Sequence, residues 1–173
     1  MSIKLYNKKY KNLNYATPEE QMKIIKQDGW AIEYISHPSI ELQMAAVTQD
    51  PWAIEYISHP SKDVELAAVS ADGYIIEVIS HPTEKIKLAA VSQNGDAIQE
   101  LNYASTAIQK AAIMNFPHAV QYITTPSDEI QILAVKQDSS SIDYITNPCR
   151  AALLEAEAVN NLSKILNNKK NGE

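Results

Sequence analysis

Three histidines, His37, His59 and His81, recur 22 residues apart, each inside a Ser-His-Pro triplet. Imidazole at regular spacing invites a metal, because ligands that share zinc lie about 2 Å from it. A single thiol, Cys149, is the one cysteine nucleophile available, and such a thiol needs a histidine and an orienting third group. A third pattern sits beside the histidines. Trp30, Trp52 and Tyr74 recur at the same interval, followed by Glu33, Glu55 and Glu77, with Tyr34 and Tyr56 next to them. Exposed aromatic residues beside acids are the material of protein-binding surfaces. Which of these chemistries is open depends on the elements that carry the residues.

Those elements are repeats. Asp28 to Pro38 reads Asp-Gly-Trp-Ala-Ile-Glu-Tyr-Ile-Ser-His-Pro, and it returns nearly unchanged at Asp50–Pro60 and again at Asp72–Pro82. Weaker copies begin at Asn94, Phe116 and Asp138, and Asn14-Tyr15-Ala16-Thr17 marks a leading half copy. A fixed offset of this kind is the signature of a stacked repeat. Counting the Asp28 column as position 1, that column supplies helix N-caps, and Pro at position 11 stops the first helix after about eight residues. Position 12 is Ser, Ser, Thr, Ser, Ser, Cys, which starts a second helix. Its apolar positions are 15, 17, 19 and 20, and position 19 is always Ala: Ala46, Ala68, Ala90, Ala112, Ala134, Ala156. Uniform Ala predicts a close helix approach where a larger side chain overpacks. No segment alternates with period two, so strands are not expected.

The expected fold is therefore all-α: a right-handed-type α-solenoid of six 22-residue two-helix repeats over residues 13–159, with a leading half repeat. Stacking predicts an elongated rod or arc. Residues 1–12 form a basic cap or tail. From Cys149 the phase breaks, with Glu155 and Glu157 in formerly apolar columns, and a capping helix runs on; 160–173 hold its end and a frayed tail expected from Asn167 to Glu173. The runs Leu66-Ala-Ala-Val69, Leu88-Ala-Ala-Val91 and Leu133-Ala-Val-Lys-Gln-Asp138, each followed by an apolar helix and a Pro turn, resemble short helical-hairpin repeats of unknown function. They are also similar to leucine-rich-repeat variants and other HEAT-like α-solenoids. The variant resemblance implies alternation of an α-helix with a 3₁₀ helix, and it implies no activity.

In a stack, equivalent residues lie about 8–10 Å apart, too far for three histidines to share one zinc. Cys149 has Asn147 and Ser140 in its own copy where a His and an aromatic would stand, and reads as a substitute N-cap. No phosphate loop or zinc-ligand spacing occurs. The expectation is no enzyme, no metal and no cofactor.

A helical wheel puts positions 4, 5 and 8 of the first helix in the core and positions 3, 6 and 10 outside. The candidate partner-binding strip is then Trp30, Glu33, Tyr34, His37, Trp52, Glu55, Tyr56, His59, Tyr74, Glu77 and His81. The competing reading has each Trp packing across the junction with a neighbouring repeat.

Composition narrows the partner. The chain of 173 residues carries a net charge of −6. Residues 28–159 hold 6 basic and 18 acidic residues, whereas 1–27 hold six lysines and two acids. An acidic body disfavours general nucleic-acid binding and favours a partner with a basic surface. No apolar run is long enough to span a membrane, and the opening residues form no secretory signal, so the chain reads as cytoplasmic. The function expected is a non-catalytic adaptor or stoichiometric inhibitor of another protein, for example one encoded by a mobile element or phage. The alternative is a self-associating structural protein, and behind it stand an acidic nucleic-acid mimic and a Cys-dependent enzyme.

Overall fold

Asp50, Asp72, Asn94 and Asp138 at position 1 each cap the short helix that follows through a side-chain oxygen, and that helix is 3₁₀. The computed structural model describes residues 9–170, with side chains through Leu162. Among the described residues every regular element is helical and no strand occurs. The order is η1 (Leu13–Tyr15), α1 (Pro18–Ile25), η2 (Gly29–Tyr34), α2 (Ile40–Gln49), η3 (Pro51–Tyr56), α3 (Lys62–Ala71), η4 (Gly73–Val78) and α4 (Glu84–Gln93). It continues with η5 (Gly95–Glu100), α5 (Thr106–Asn115), η6 (Pro117–Tyr122), α6 (Asp128–Gln137), η7 (Ser139–Tyr144) and α7 (Arg150–Lys170).

The first helix of each pair thus differs from the α-helix of about eight residues assumed for the helical wheel. It is six residues of 3₁₀, closed by i→i+3 bonds such as Ala53 N–H to Asp50 O at 3.0 Å and Ile57 N–H to Ile54 O at 3.0 Å. The reason is geometric. A 3₁₀ helix rises about 2.0 Å per residue, so six residues reach about 12 Å and run alongside most of the ten-residue α-helix that follows. Six α-helical residues would fall about 3 Å shorter.

The chain divides into two compact units, 1–89 and 90–173. In the first, neighbours pack in chain order: α1 on α2, α2 on α3, and η2 on η3. The second repeats this with α5 on α6, α6 on α7, η5 on η6 and η6 on η7. Both cores use positions 4 and 19 throughout, whereas position 8 is only half-buried at Leu101 and Ile123 of the second unit. Ala31, Ile32 and Ile35 are buried from the 3₁₀ side, and Leu42, Ala46 and Val47 from the α side. Each fully buried Ile, Leu or Val contributes about 1.5–3 kcal/mol of transfer free energy. Position 17, expected inside, is only half-covered at Met44, Leu66 and Ile132 and is exposed at Leu88.

Capping follows the sequence. The hydroxyls of Ser39, Ser61, Thr83, Ser105 and Ser127 accept N–H groups in the first turn of α2 to α6, at 3.3–3.4 Å. Thr17 and Glu20 form a reciprocal capping box on α1. At position 2, Gly95 has no room for a side chain: a Cβ there would lie 2.6 Å from the Ala112 carbonyl oxygen.

Position 16 supplies a device that periodicity alone did not reveal. Gln43, Gln109 and Gln131 each donate Nε2 to a turn carbonyl, of Pro38, Ala104 and Pro126, at 3.0–3.1 Å, and Gln21 donates to the Leu13 carbonyl in η1 at 3.0 Å. Gln131 Oε1 also accepts the Cys149 N–H at 2.7 Å, joining one turn to the next. Glu65 occupies the same column, buried, and pairs with Lys62 at 2.8 Å, while Lys62 donates to the His81 carbonyl at 3.0 Å.

Position 4 is Ala31, Ala53, Ile75, Ala97 and Ala119, then Ser141. Ser141 is 0% exposed, and its hydroxyl oxygen has no hydrogen-bond partner among the described residues. A buried unsatisfied hydroxyl costs about 1–3 kcal/mol, so Ser141→Ala should stabilise the fold by about 1 kcal/mol. Urea denaturation followed by circular dichroism reads this as a higher midpoint at unchanged slope.

At the chain ends, Tyr10 and Leu13 are buried, so the described part of the N-terminal segment caps the first unit. Residues 1–8, including the basic start expected as cap or tail, lie outside the described residues. Helix α7 continues through Lys170, so Asn167–Lys170, expected to fray, are helical; 171–173 lie outside the described residues.

Candidate functional site

Trp30 and Trp52 stand in the first turn of η2 and η3, half-buried. Their indole N–H groups reach the Asp that caps the following 3₁₀ helix. Trp30 Nε1 donates to Asp50 Oδ2 at 2.5 Å, and Trp52 Nε1 donates to Asp72 Oδ2 at 2.9 Å. The other oxygen of each carboxylate accepts the backbone N–H of Trp52 or Tyr74, both at 3.0 Å. One carboxylate therefore caps its own helix and holds the preceding repeat's aromatic ring. Trp30 also meets Tyr56 edge-on, with ring centroids 5.3 Å apart.

The same rung appears where the sequence changes residue type. Tyr10 donates its hydroxyl to Asp28 Oδ2 at 2.7 Å, and its ring lies 5.8 Å from Tyr34. Burial pushes the Tyr10 phenol above its ordinary range, and the Asp28 carboxylate adds to that shift. In the second unit His118 takes the aromatic position. Its Nε2 lies 3.2 Å from Asp138 Oδ2 and 2.9 Å from Ser140 Oγ, and its ring lies 4.6 Å from Tyr144. Ser, His and Asp meet here, but one nitrogen faces both partners. A charge-stabilising triad needs the carboxylate on the other ring nitrogen. Asp138 Oδ1 is engaged by the Ser140 amide at 2.9 Å and hydroxyl at 2.8 Å, and these bonds hold its carboxyl below the usual range. Where Phe116 replaces the capping Asp, the preceding Asp96 has a buried Oδ1 without a hydrogen-bond partner among the described residues.

The candidate strip therefore separates by depth. Trp30, Trp52, Tyr74 and Tyr34 are half-buried, and both tryptophans are tied to the next repeat. Glu33, Glu55, Glu77, Tyr56, His37, His59 and His81 are exposed. Besides histidine, the position-10 column carries an exposed tyrosine in each unit. Tyr15, one period before His37, is 86% exposed, and Tyr103, one period after His81, is 89% exposed. The signal was present in Asn14-Tyr15-Ala16-Thr17 and Asn102-Tyr103-Ala104-Ser105, which repeat the turn with Tyr in the His column.

Between adjacent turns of the first unit, Glu55, His59, Lys62, Glu65 and His81 line a furrow of about 650 Å³. Among the described residues no group of three or more His, Cys, Asp or Glu side chains is placed to hold a metal ion. Cys149 is half-buried, and its sulfur accepts the Ala152 N–H at 3.4 Å, the N-cap geometry of the Ser column. No helix among the described residues is long and apolar enough to cross a membrane.

Compared with known proteins, the chain matches no family model, no curated protein and no solved structure, so its function is argued from its own geometry.

Proposed function

We propose that the chain is a helical-repeat solenoid that works as a non-catalytic protein-binding module, an adaptor or stoichiometric inhibitor, and that it engages a basic partner through its turn row. The observation that carries this reading is the row Tyr15, His37, His59 and His81. These rings are exposed, and the three histidines stand in the same repeats as the exposed acids Glu33, Glu55 and Glu77. Tyrosine rings left almost entirely in water serve no packing purpose, and they are favoured at interface cores. The acids add attraction for a basic surface, mostly through association rate.

The test uses residues the chain itself accepts in that column, Thr125 and Asn147. A variant carrying Tyr15→Thr, His37→Asn, His59→Asn and His81→Asn should keep its helical circular dichroism and lose the protein captured by wild type from host lysate. Identical capture by both proteins removes the turn row from the reading.

Self-association is a second reading, favoured by Leu153, Leu154 and Leu162, which α7 leaves exposed. It requires a mass that rises with concentration in light scattering.

A further inference from the structure

The fourth copy differs from the first and third in the residue before its position-2 glycine. Asp28 precedes Gly29 and Asp72 precedes Gly73, but Asn94 precedes Gly95. Asn-Gly is the dipeptide most open to intramolecular deamidation. The glycine nitrogen gives its proton to solvent, and its lone pair forms a bond to the asparagine side-chain carbonyl carbon. That closes a succinimide ring, and the side-chain nitrogen leaves as ammonia. Water then opens the ring at either carbonyl, giving aspartate or isoaspartate. The balance needs water alone, and glycine permits the ring because it has no side chain to obstruct closure.

The folded chain holds these atoms away from that reaction. Gly95 is buried, and its N–H donates to Asn115 Oδ1 at 2.6 Å. Asn94 Oδ1 accepts the Asp96 N–H at 3.1 Å, which keeps the amide over the first turn of η5. Asn115 is itself anchored, its Nδ2 donating to the Ser92 carbonyl at 2.9 Å. The space is closed too, since a Cβ on Gly95 would lie 2.7 Å from the Phe116 Cβ. The repeat shows what the position-22 side chain is for. Gln49 Oε1 accepts the Gly29 N–H at 2.6 Å in the first copy. In the second copy position 2 is Pro51, which has no N–H to satisfy, and position 22 is Ala71.

We infer that Asn94 is a latent deamidation site, and that Asn115 protects it by holding the Gly95 N–H. The reaction requires a local opening of this turn, and the Asn115 hydrogen bond is part of what the opening costs. The two products differ in their fit. Aspartate at 94 is the residue type that already caps the same position at Asp50, Asp72 and Asp138. Isoaspartate routes the main chain through the former side-chain carbon and takes the carboxylate out of its capping place.

The test incubates the full chain at mildly alkaline pH and follows the amide-to-acid mass gain at Asn94 by peptide mapping. Asn171-Gly172, the other Asn-Gly pair of the chain, supplies a reference within each folded sample. Wild type in buffer should react at Asn94 at least about tenfold more slowly than wild type in concentrated urea, where the turn is open. Asn115→Ala, with the residue found at Ala71, should react at Asn94 about fivefold faster than wild type, the population shift for one net hydrogen bond. Its rate at Asn171 should not change. Asn115→Gln, with the residue found at Gln49, keeps an acceptor and should react as wild type does. Circular dichroism establishes that each variant is folded. Equal rates at Asn94 in buffer and in urea overturn the inference, and that comparison needs no variant. A folded Asn115→Ala that reacts at the wild-type rate overturns the role given to Asn115. Asn94→Asp, the product made directly, should leave the urea midpoint unchanged, and a lowered midpoint overturns the fit claimed for aspartate.

Discussion

Replacing Asp72 by alanine should lower the stability of the folded chain by about 2–4 kcal/mol, the sum of a lost N-cap and a lost hydrogen bond to a charged acceptor. Both losses trace to one side chain. Asp72 Oδ1 caps η4 through the Tyr74 N–H, and Oδ2 holds the indole of Trp52 from the preceding repeat. The indole N–H, half-buried, is left to find water at the edge of the stack. Asp72→Asn is the informative control, because Asn94 already caps η5 through its Oδ1, at 3.1 Å from the Asp96 nitrogen. The amide should therefore recover part of the loss. Urea denaturation checks the series. A change below about 0.5 kcal/mol in Asp72→Ala, the size of an ordinary surface substitution, would mean that the carboxylate does not bridge the two repeats.

The second large effect is at Ala68, where leucine should cost about 1–3 kcal/mol by overpacking. Ala68 is 0% exposed, and its carbonyl accepts the Asp72 N–H at 3.0 Å. The position-19 carbonyl is where the following element turns back against the helix, through the Asp72 N–H. Added side-chain volume has nowhere to go without moving that turn. Ala67, one residue earlier, is half-buried, and Leu133 fills its column later in the chain. Ala67→Leu should change stability by less than about 0.5 kcal/mol. Equal melting of the two leucine variants and wild type would remove the close approach from the account.

Periodicity made the helix pairs legible, because it aligns Asp50, Pro60, Ser61 and Ala68 with their counterparts, and each of these residue types has one dominant structural use. The identity of the first helix was less legible. Six residues between an Asp cap and an extended Ile satisfy either helical pattern over so short a run, and length matching to the neighbouring α-helix decides for 3₁₀. The double use of Asp50 and Asp72 was out of reach, since an N-cap column says nothing about its second oxygen. The same holds for Gln131, whose amide joins Pro126 to Cys149 across 18 residues of sequence from the latter. Tyr15 and Tyr103 were visible in the turn alignment, and their importance emerges only with their exposure.

We propose that the tryptophans bind the repeats to one another and leave the turn row for partners. A double-mutant cycle on Trp52→Phe and Asp72→Ala tests it most directly, because phenylalanine keeps an aromatic ring and removes the N–H. The account predicts a coupling energy of about 1–2 kcal/mol between the two sites in urea denaturation. Additive effects, within about 0.3 kcal/mol, would show that indole and carboxylate are not partners and would return Trp30 and Trp52 to the binding surface.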